Sequence, residues 1–239
     1  MASTLSSERV HSVLARLRAA GEAQDAAAKL RVREREAELG TKLYGHERAA
    51  LAIHAPLSVT PAVGRMLYAL ALAAKPTLIV EFGASLGCST LYLASALRDL
   101  GAGSMLTTEL LAEKARHAGD HLAAAGLGDL VELRAGDALA TLADLDADVD
   151  LLFLDGSNDL YLAVLELLEP CLSARGLVIA DISHGDPHHA RYREYVNCPE
   201  SGYLTTEIPI GAGLLISARR HQRASHSRRC VLPNANRGS

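Results

Sequence analysis

The 239-residue chain predicts an α/β fold: a mostly parallel sheet with helices on both faces, closed by an antiparallel C-terminal hairpin. Three observations lead there. From residue 77 onward, short segments that are apolar on both faces alternate with helical stretches, the pattern of a parallel sheet covered on both sides. A glycine-punctuated turn in "VEFGASLGCSTLYLA" (80–94) carries the first of those strands into a helix. Near the end, "YLTTEIP" (203–209) and "GLLISAR" (213–219) are separated only by "IGA", which permits nothing but an antiparallel connection.

The elements follow in order. Val10, Val13, Leu14 and Leu17 are spaced for one face of a helix over residues 7–20. "AQDAAAKLRVREREAEL" (23–39), dense in both charge signs, predicts a second, largely solvated helix. Residues 1–50 thus form a helical extension that contributes to a homodimer, the sharper alternative being a lid over a site. A loop and a helix over 61–74 come next. The strands are "TLIVEF" (77–82), "SMLTTE" (104–109), "LVELRA" (130–135), "VDLLFLD" (149–155) and "GLVIADI" (176–182). Helices fill 87–100, 111–126, 138–145 and 158–174, and one more over 187–197 precedes the hairpin. Residues 51–218 make the main domain. The tail, 219–239, holds six arginines and no acidic residue, and its composition predicts disorder.

Bulk properties exclude several classes. A formal charge of −4 predicts no general attraction to nucleic acid or anionic lipid. Arginines without interleaved aromatics give little support to RNA or phosphate binding by the tail. No apolar run reaches the roughly 18 residues of a membrane span, and "MASTLSSERVHSVLARL" lacks the order of a secretory signal. The expectation is a cytoplasmic protein. Cys88, Cys171, Cys198 and Cys230 lie too far apart for a zinc site or a disulfide framework. Cys88 reads as buried filler rather than a reactive thiol.

In open α/β sheets, ligands bind beyond the carboxyl ends of the strands. Those ends carry Glu81, Gly83, Ser85, Gly87 and Ser89, then Glu109, then Gly136 and Asp137, then Asp155, and last Asp181, Ser183 and His184. Gly83 lets the backbone turn tightly, and Gly87 lets a ligand approach the helix start. Glu109 is placed to accept from ribose hydroxyls. The turn reads "GASLG" rather than G-x-G-x-x-G, and Ser85 stands where a pyrophosphate wants glycine. An adenosine cofactor without phosphates fits better, and with the hairpin this points to S-adenosylmethionine. A nicotinamide-dependent oxidoreductase, NAD(P)-linked, is the rival on the same sheet. A nucleic-acid amino-methyltransferase would carry Asn/Asp-Pro-Pro-aromatic where "DGSN" stands.

"VEFGASLGCSTLYLA", "TTEL", "RAGDAL", "LLFLDGSNDLYLAVLELLEPCLSARGLVIADI" and "GYLTTEIPIGAGLLIS" together resemble the catechol-type bacterial small-molecule O-methyltransferases. These are class I S-adenosylmethionine-dependent enzymes, and the likeness runs over about residues 55–218. It implies a Rossmann-like class I methyltransferase fold, seven-stranded, with the last strand antiparallel. It implies that Glu81, Gly83, Ser85 and Ser89 hold the methionine part of the cofactor and Glu109 the ribose. Gly136, Asp137 and Ala138 would lie beside the adenine, and Asp155 at the reacting end. Family members commonly bind Mg2+ through two aspartates and an asparagine, here Asp155, Asp181 and, in place of the asparagine, Ile182. Asn158 stands where the family keeps a catalytic lysine. Three outcomes follow: the metal site is lost, or His184 and Asp186 rebuild it, or His184 acts as a metal-free base oriented by Asp155 or Asp181. The acceptor is expected to be a small hydroxylated, phenolic molecule. A non-catalytic S-adenosylmethionine-binding protein is the alternative that the two replacements keep open.

Overall fold

The computed structural model describes residues 3–182 and 187–220; the expectations for Ser183, His184, Asp186 and the tail beyond residue 220 lie outside them. The expected pair of N-terminal helices is one helix, α1 (Glu8–Leu39). Gly21 sits near the expected break, but one glycine costs a helix interior only about 1 kcal/mol. The alanine, glutamate, arginine and lysine around it carry the helix through. Ser7 caps the start by accepting from the Val10 N–H at 3.4 Å, and Gly40 ends it at φ 67°. A short α2 (Gly45–Leu51), not foreseen, packs back on α1, where Ala28 meets Ala52 and Ala55.

Thereafter the alternation holds: α3 (Pro61–Ala74), β1 (Leu78–Phe82), α4 (Cys88–Leu100), β2 (Ser104–Glu109), α5 (Ala112–Ala125) and β3 (Val131–Ala135). Then come α6 (Ala138–Thr141), β4 (Val149–Leu154), α7 (Tyr161–Leu168), β5 (Leu172–Asp181), α8 (Pro187–Asn197), β6 (Tyr203–Ile208) and β7 (Leu214–Arg219). Two helices are shorter than expected, for identifiable reasons. Arg134 closes α6 early by donating to the Thr141 carbonyl at 2.5 Å while pairing with Asp144 at 2.8 Å. Pro170 has no N–H to continue α7, so the chain passes through a single 3-10 turn, Glu169–Cys171, into β5.

The seven strands lie in the order β3-β2-β1-β4-β5-β7-β6. All neighbours are parallel except β7, which runs antiparallel to β5 and β6. Period-two burial explains the two-faced strands. Leu152 and Leu154 face α7 and α8 with Val80, Val178 and Ala180, while Leu151 and Phe153 face α3 and α4 with Ile79 and Ile179. A third layer lies outside. Val10, Val13 and Leu17 of α1, at 0%, 1% and 2% exposure, pack on Leu91 and Ala94 of α4 and Leu122 and Ala125 of α5. At roughly 1.5–3 kcal/mol per buried side chain, the first half of α1 is an integral part of the packing. Among the described residues, no helix is long and apolar enough to cross a membrane.

Candidate active site

The strand order reverses between β1 and β4, and the crevice beyond their carboxyl ends is where such sheets hold ligands. The two strand ends meet closely. The Asp155 N–H donates to the Phe82 carbonyl at 2.9 Å. Just past it, a Cβ added to Gly83 (φ 100°) would lie 2.6 Å from Gly156 Cα and 2.7 Å from the Asp155 carbonyl oxygen. A Cβ on Gly156 would in turn lie 2.5 Å from the Phe82 ring. The glycines of "EFG" and "LDG" are therefore required by each other's strand. Gly87 differs: it caps α4 at φ 89°, and an added Cβ would meet only Ala118, at an ordinary 3.4 Å. Its backbone angle, more than space for a ligand, calls for glycine there.

Between them Ser85 takes a left-handed conformation, φ 49°. Its N–H donates to Glu109 Oε2 at 2.8 Å and its hydroxyl to the Pro56 carbonyl at 2.7 Å. Glu109 Oε1 accepts from the Leu111 N–H at 3.0 Å. Burial pushes the Glu109 carboxyl up, against the Leu111 N–H, the charge of Lys114 and the Ser85 N–H, which pull it down. An ionised carboxylate has about four acceptor sites, so this arrangement fixes Glu109 in place and leaves capacity for two vicinal hydroxyls. Gly136 and Asp137 follow at the end of β3. The Gly136 N–H bonds to the Glu109 carbonyl at 2.9 Å, and Asp137 caps α6 through the Leu139 N–H at 2.9 Å, with Ala138 buried behind it.

Glu81 is sealed beneath the turn at 0% exposure. Oε2 accepts from the Thr90 and Thr107 hydroxyls, both at 2.6 Å, while Oε1 has no hydrogen-bond partner among the described residues. Burial raises its pKa, opposed by the hydroxyls of Ser89, Thr107 and Thr90. Ser89, 3% exposed, stands with it in the floor. A carboxyl raised in the folded state contributes stability that is full below its unfolded pKa and is lost as pH rises through the folded value. Glu81→Gln is thus expected to raise the unfolding temperature of the ligand-free protein by a few degrees at pH 8 and not at pH 4. Melting curves at the two pH values check this; equal shifts at both would contradict it.

Asp155 and Asp181 end the adjacent strands β4 and β5, as expected, and both are half-buried. Burial pushes both carboxyls up, Asp181 to about 6 and Asp155 well above its usual range, with the charges of Asp181 and Glu81 raising Asp155 further. Ile182 is fully buried among Tyr161, Tyr192 and Val196, and its N–H donates to the Gly213 carbonyl at 2.9 Å. It belongs to the core and offers no ligand atom. His184, the expected base, lies outside the described residues.

His189 lies in α8 at 1% exposure, its ring 4.9 Å from that of Tyr161. Tyr161, whose hydroxyl donates to the Asp181 carbonyl at 2.8 Å, and Tyr203 are core residues. Burial pushes the Cys88 thiol up to about 11, so it is filler. Sequence reasoning missed the segment Pro56–Val59, which lies against the glycine turn through Ser85 and through Cys88 Sγ, 4.0 Å from the Val59 carbonyl. It missed Lys114 as well, which is 4% exposed beside Ser85. Neither belongs to a motif, and only the tertiary fold brings them in.

Residues 80–181 match a family model described as a methyltransferase domain. A protein assigned as an O-methyltransferase in Mycobacterium sp. (strain JLS) is 32% identical over 178 residues, covering 68% of this chain and 79% of that one. Its counterpart in Mycobacterium tuberculosis (strain ATCC 25618 / H37Rv) is 31% identical over 183 residues, covering 68% and 78%. Among solved structures, the O-methyltransferase TomG from Streptomyces achromogenes, involved in tomaymycin synthesis and complexed with S-adenosylmethionine, superposes with a TM-score of 0.62. It is 25% identical, over 71% of this chain and 86% of that one. The Bacillus cereus O-methyltransferase in complex with S-adenosylhomocysteine shares the fold, with a TM-score of 0.60 at 23% identity over 68% and 83%. The chain therefore belongs to the class I S-adenosylmethionine-dependent O-methyltransferases.

Proposed function

We propose that this methyltransferase acts on a hydroxyl of a small phenolic or otherwise hydroxylated molecule, without a divalent cation. The observation that carries the metal-free form is Ile182, an apolar side chain locked in the core where the family it resembles keeps an asparagine ligand. Hard cations of the Mg2+ kind take oxygen ligands in a near-octahedral shell. Asp155 and Asp181 alone supply two carboxylates of such a shell, and Ile182 adds no oxygen to it.

The nucleoside site fits better. Glu109 is held with spare acceptor capacity for ribose hydroxyls, 136–138 would lie beside the adenine, and Gly83, Ser85 and Ser89 would line the methionine end. Glu81, out of reach of solvent, would brace that floor rather than touch the ligand. When bound, S-adenosylmethionine supplies a sulfonium-activated methyl group. The protein's part is to aim the acceptor oxygen in line and to take its proton. We assign the proton to His184, with Asp155 or Asp181 orienting it. On this reading residues 51–218 carry the chemistry and 1–50 and 219–239 flank it.

The test is turnover on a panel of phenols and catechols with and without a strong chelator. Asp155→Ala is expected to lower turnover about tenfold or more while leaving S-adenosylhomocysteine affinity within about threefold. His184→Ala should lose activity that the chelator spares. Activity abolished by chelator and restored by Mg2+ would overturn the metal-free form. Tight cofactor binding with no turnover across the panel would favour a non-catalytic binding protein.

A further inference from the structure

Lys114 is an ammonium at 4% exposure that the proposed chemistry does not use. Its Nζ donates to Ser85 Oγ at 3.1 Å, and the two charges that act on it are the carboxylates of Glu109 and Asp25. Burial lowers its pKa, and both acids oppose this. A cation removed from water persists in a fold only where acids and hydrogen bonds compensate it, so the position of each of these groups matters to the others.

The neighbours form a hydrogen-bonded chain. Asp25, on α1, accepts the Leu57 N–H at 3.0 Å. The adjacent Pro56 carbonyl accepts the Ser85 hydroxyl at 2.7 Å, and that same hydroxyl receives Lys114. Glu109 is joined to the chain through the Ser85 N–H at 2.8 Å. An independent observation marks the same place. Of three non-glycine residues with positive φ among those described, Leu57 (46°) and Ser85 (49°) are both members. Such conformations persist where their surroundings over-determine them.

We infer that Lys114 is a positioning residue that ties helix α1 to the cofactor turn, so that the seating of α1 and the grip on the methyl donor strengthen together. Hydrogen bonds carry the tie, from Lys114 to the Ser85 hydroxyl, from that hydroxyl to the Pro56 carbonyl, and from the Leu57 N–H to Asp25 on α1. The Ser85 N–H in turn fixes the orientation of Glu109. By linkage, whatever firms Glu109 and Ser85 firms α1, and the reverse. The inference rests on the assignment of Glu109 to the ribose.

The experiment is calorimetric titration of the full chain with S-adenosylhomocysteine, together with amide hydrogen exchange with and without it. In the wild type, the ligand is expected to slow exchange at 83–89 and also at 55–59 and in α1 around residue 25. In Lys114→Met the affinity falls about tenfold, and the slowing persists at 83–89 but disappears from α1. Asp25→Asn, which alters the chain at its more exposed end, should lose the same α1 response, and the double variant should bind no more weakly than Lys114→Met alone. A purely structural lysine would speed exchange in ligand-free α1 yet leave the ligand-induced slowing intact; that result overturns the inference. So does wild-type affinity in Lys114→Met, or, should that variant fail to fold, a wild-type α1 response in Asp25→Asn. Absence of binding by the wild type itself would instead overturn the cofactor-site reading on which the inference stands.

Discussion

Replacing Gly83 by alanine is expected to destabilise the fold by about 3–5 kcal/mol, a drop of roughly 10 °C in unfolding temperature for a domain of this size. Two effects add. The residue sits at φ 100°, where an L side chain is strained, and its Cβ would meet main chain, Gly156 Cα at 2.6 Å and the Asp155 carbonyl at 2.7 Å. No rotamer can relieve a clash with backbone, so β1 and β4 must part at the point where their ends form the crevice. Gly87→Ala is the control. Its φ of 89° is equally unfavourable, but the nearest contact is 3.4 Å, so the loss should be nearer 1–2 kcal/mol. Thermal unfolding of both variants, followed by circular dichroism, separates strain from collision. A Gly83→Ala midpoint within about 2 °C of the wild type would show that the two strands part at little cost.

Glu109→Ala is expected to weaken S-adenosylhomocysteine binding about 100-fold. On the proposed ribose assignment two hydrogen bonds from hydroxyls to a carboxylate would be lost, and hydrogen bonds to charged groups are worth about 1.5–3 kcal/mol each, partly offset by water. The Ser85 N–H and Leu111 N–H lose their acceptor in the same step, at 2.8 and 3.0 Å in the wild type. Glu109→Gln keeps an acceptor for one of them and should fall between. Calorimetric titration reads the effect directly, and an unchanged dissociation constant in the alanine variant would remove Glu109 from the ribose site.

The sheet was legible because its signals are local. Strands such as "LLFL" are apolar at every position since both faces are covered, and that pattern needs no partner to be seen. The strand ends were legible for the same reason, each polar residue falling where an apolar run stops. The break expected near residue 21 was wrong because a weak local preference, one glycine, was outweighed by the helix formers around it. Lys114 and Pro56–Leu57 were illegible for a different reason. A lysine in "LLAEKARHAGD" has the look of a solvated residue, and nothing along the chain shows that Ser85, Glu109 and Asp25 will surround it. Ile182 lay between these cases: its presence was plain from the sequence, but its burial, which decides what it does, was not.

The stripe Val10, Val13 and Leu17 also bears on how the protein is made. These side chains leave the ribosome well before their partners on α5, Leu122 and Ala125, which lie more than a hundred residues later. Until α5 has emerged, the apolar face of α1 can reach only the α4 part of its docking surface, Leu91 and Ala94, and that interval is when a nascent chain is most open to chaperones or to association with its neighbours. The glycine turn matures on the same schedule, since the Ser85 hydroxyl waits for Lys114 of α5. Pauses in translation shortly after residue 125 would give α1 time to settle, whereas pauses before it would prolong the exposure.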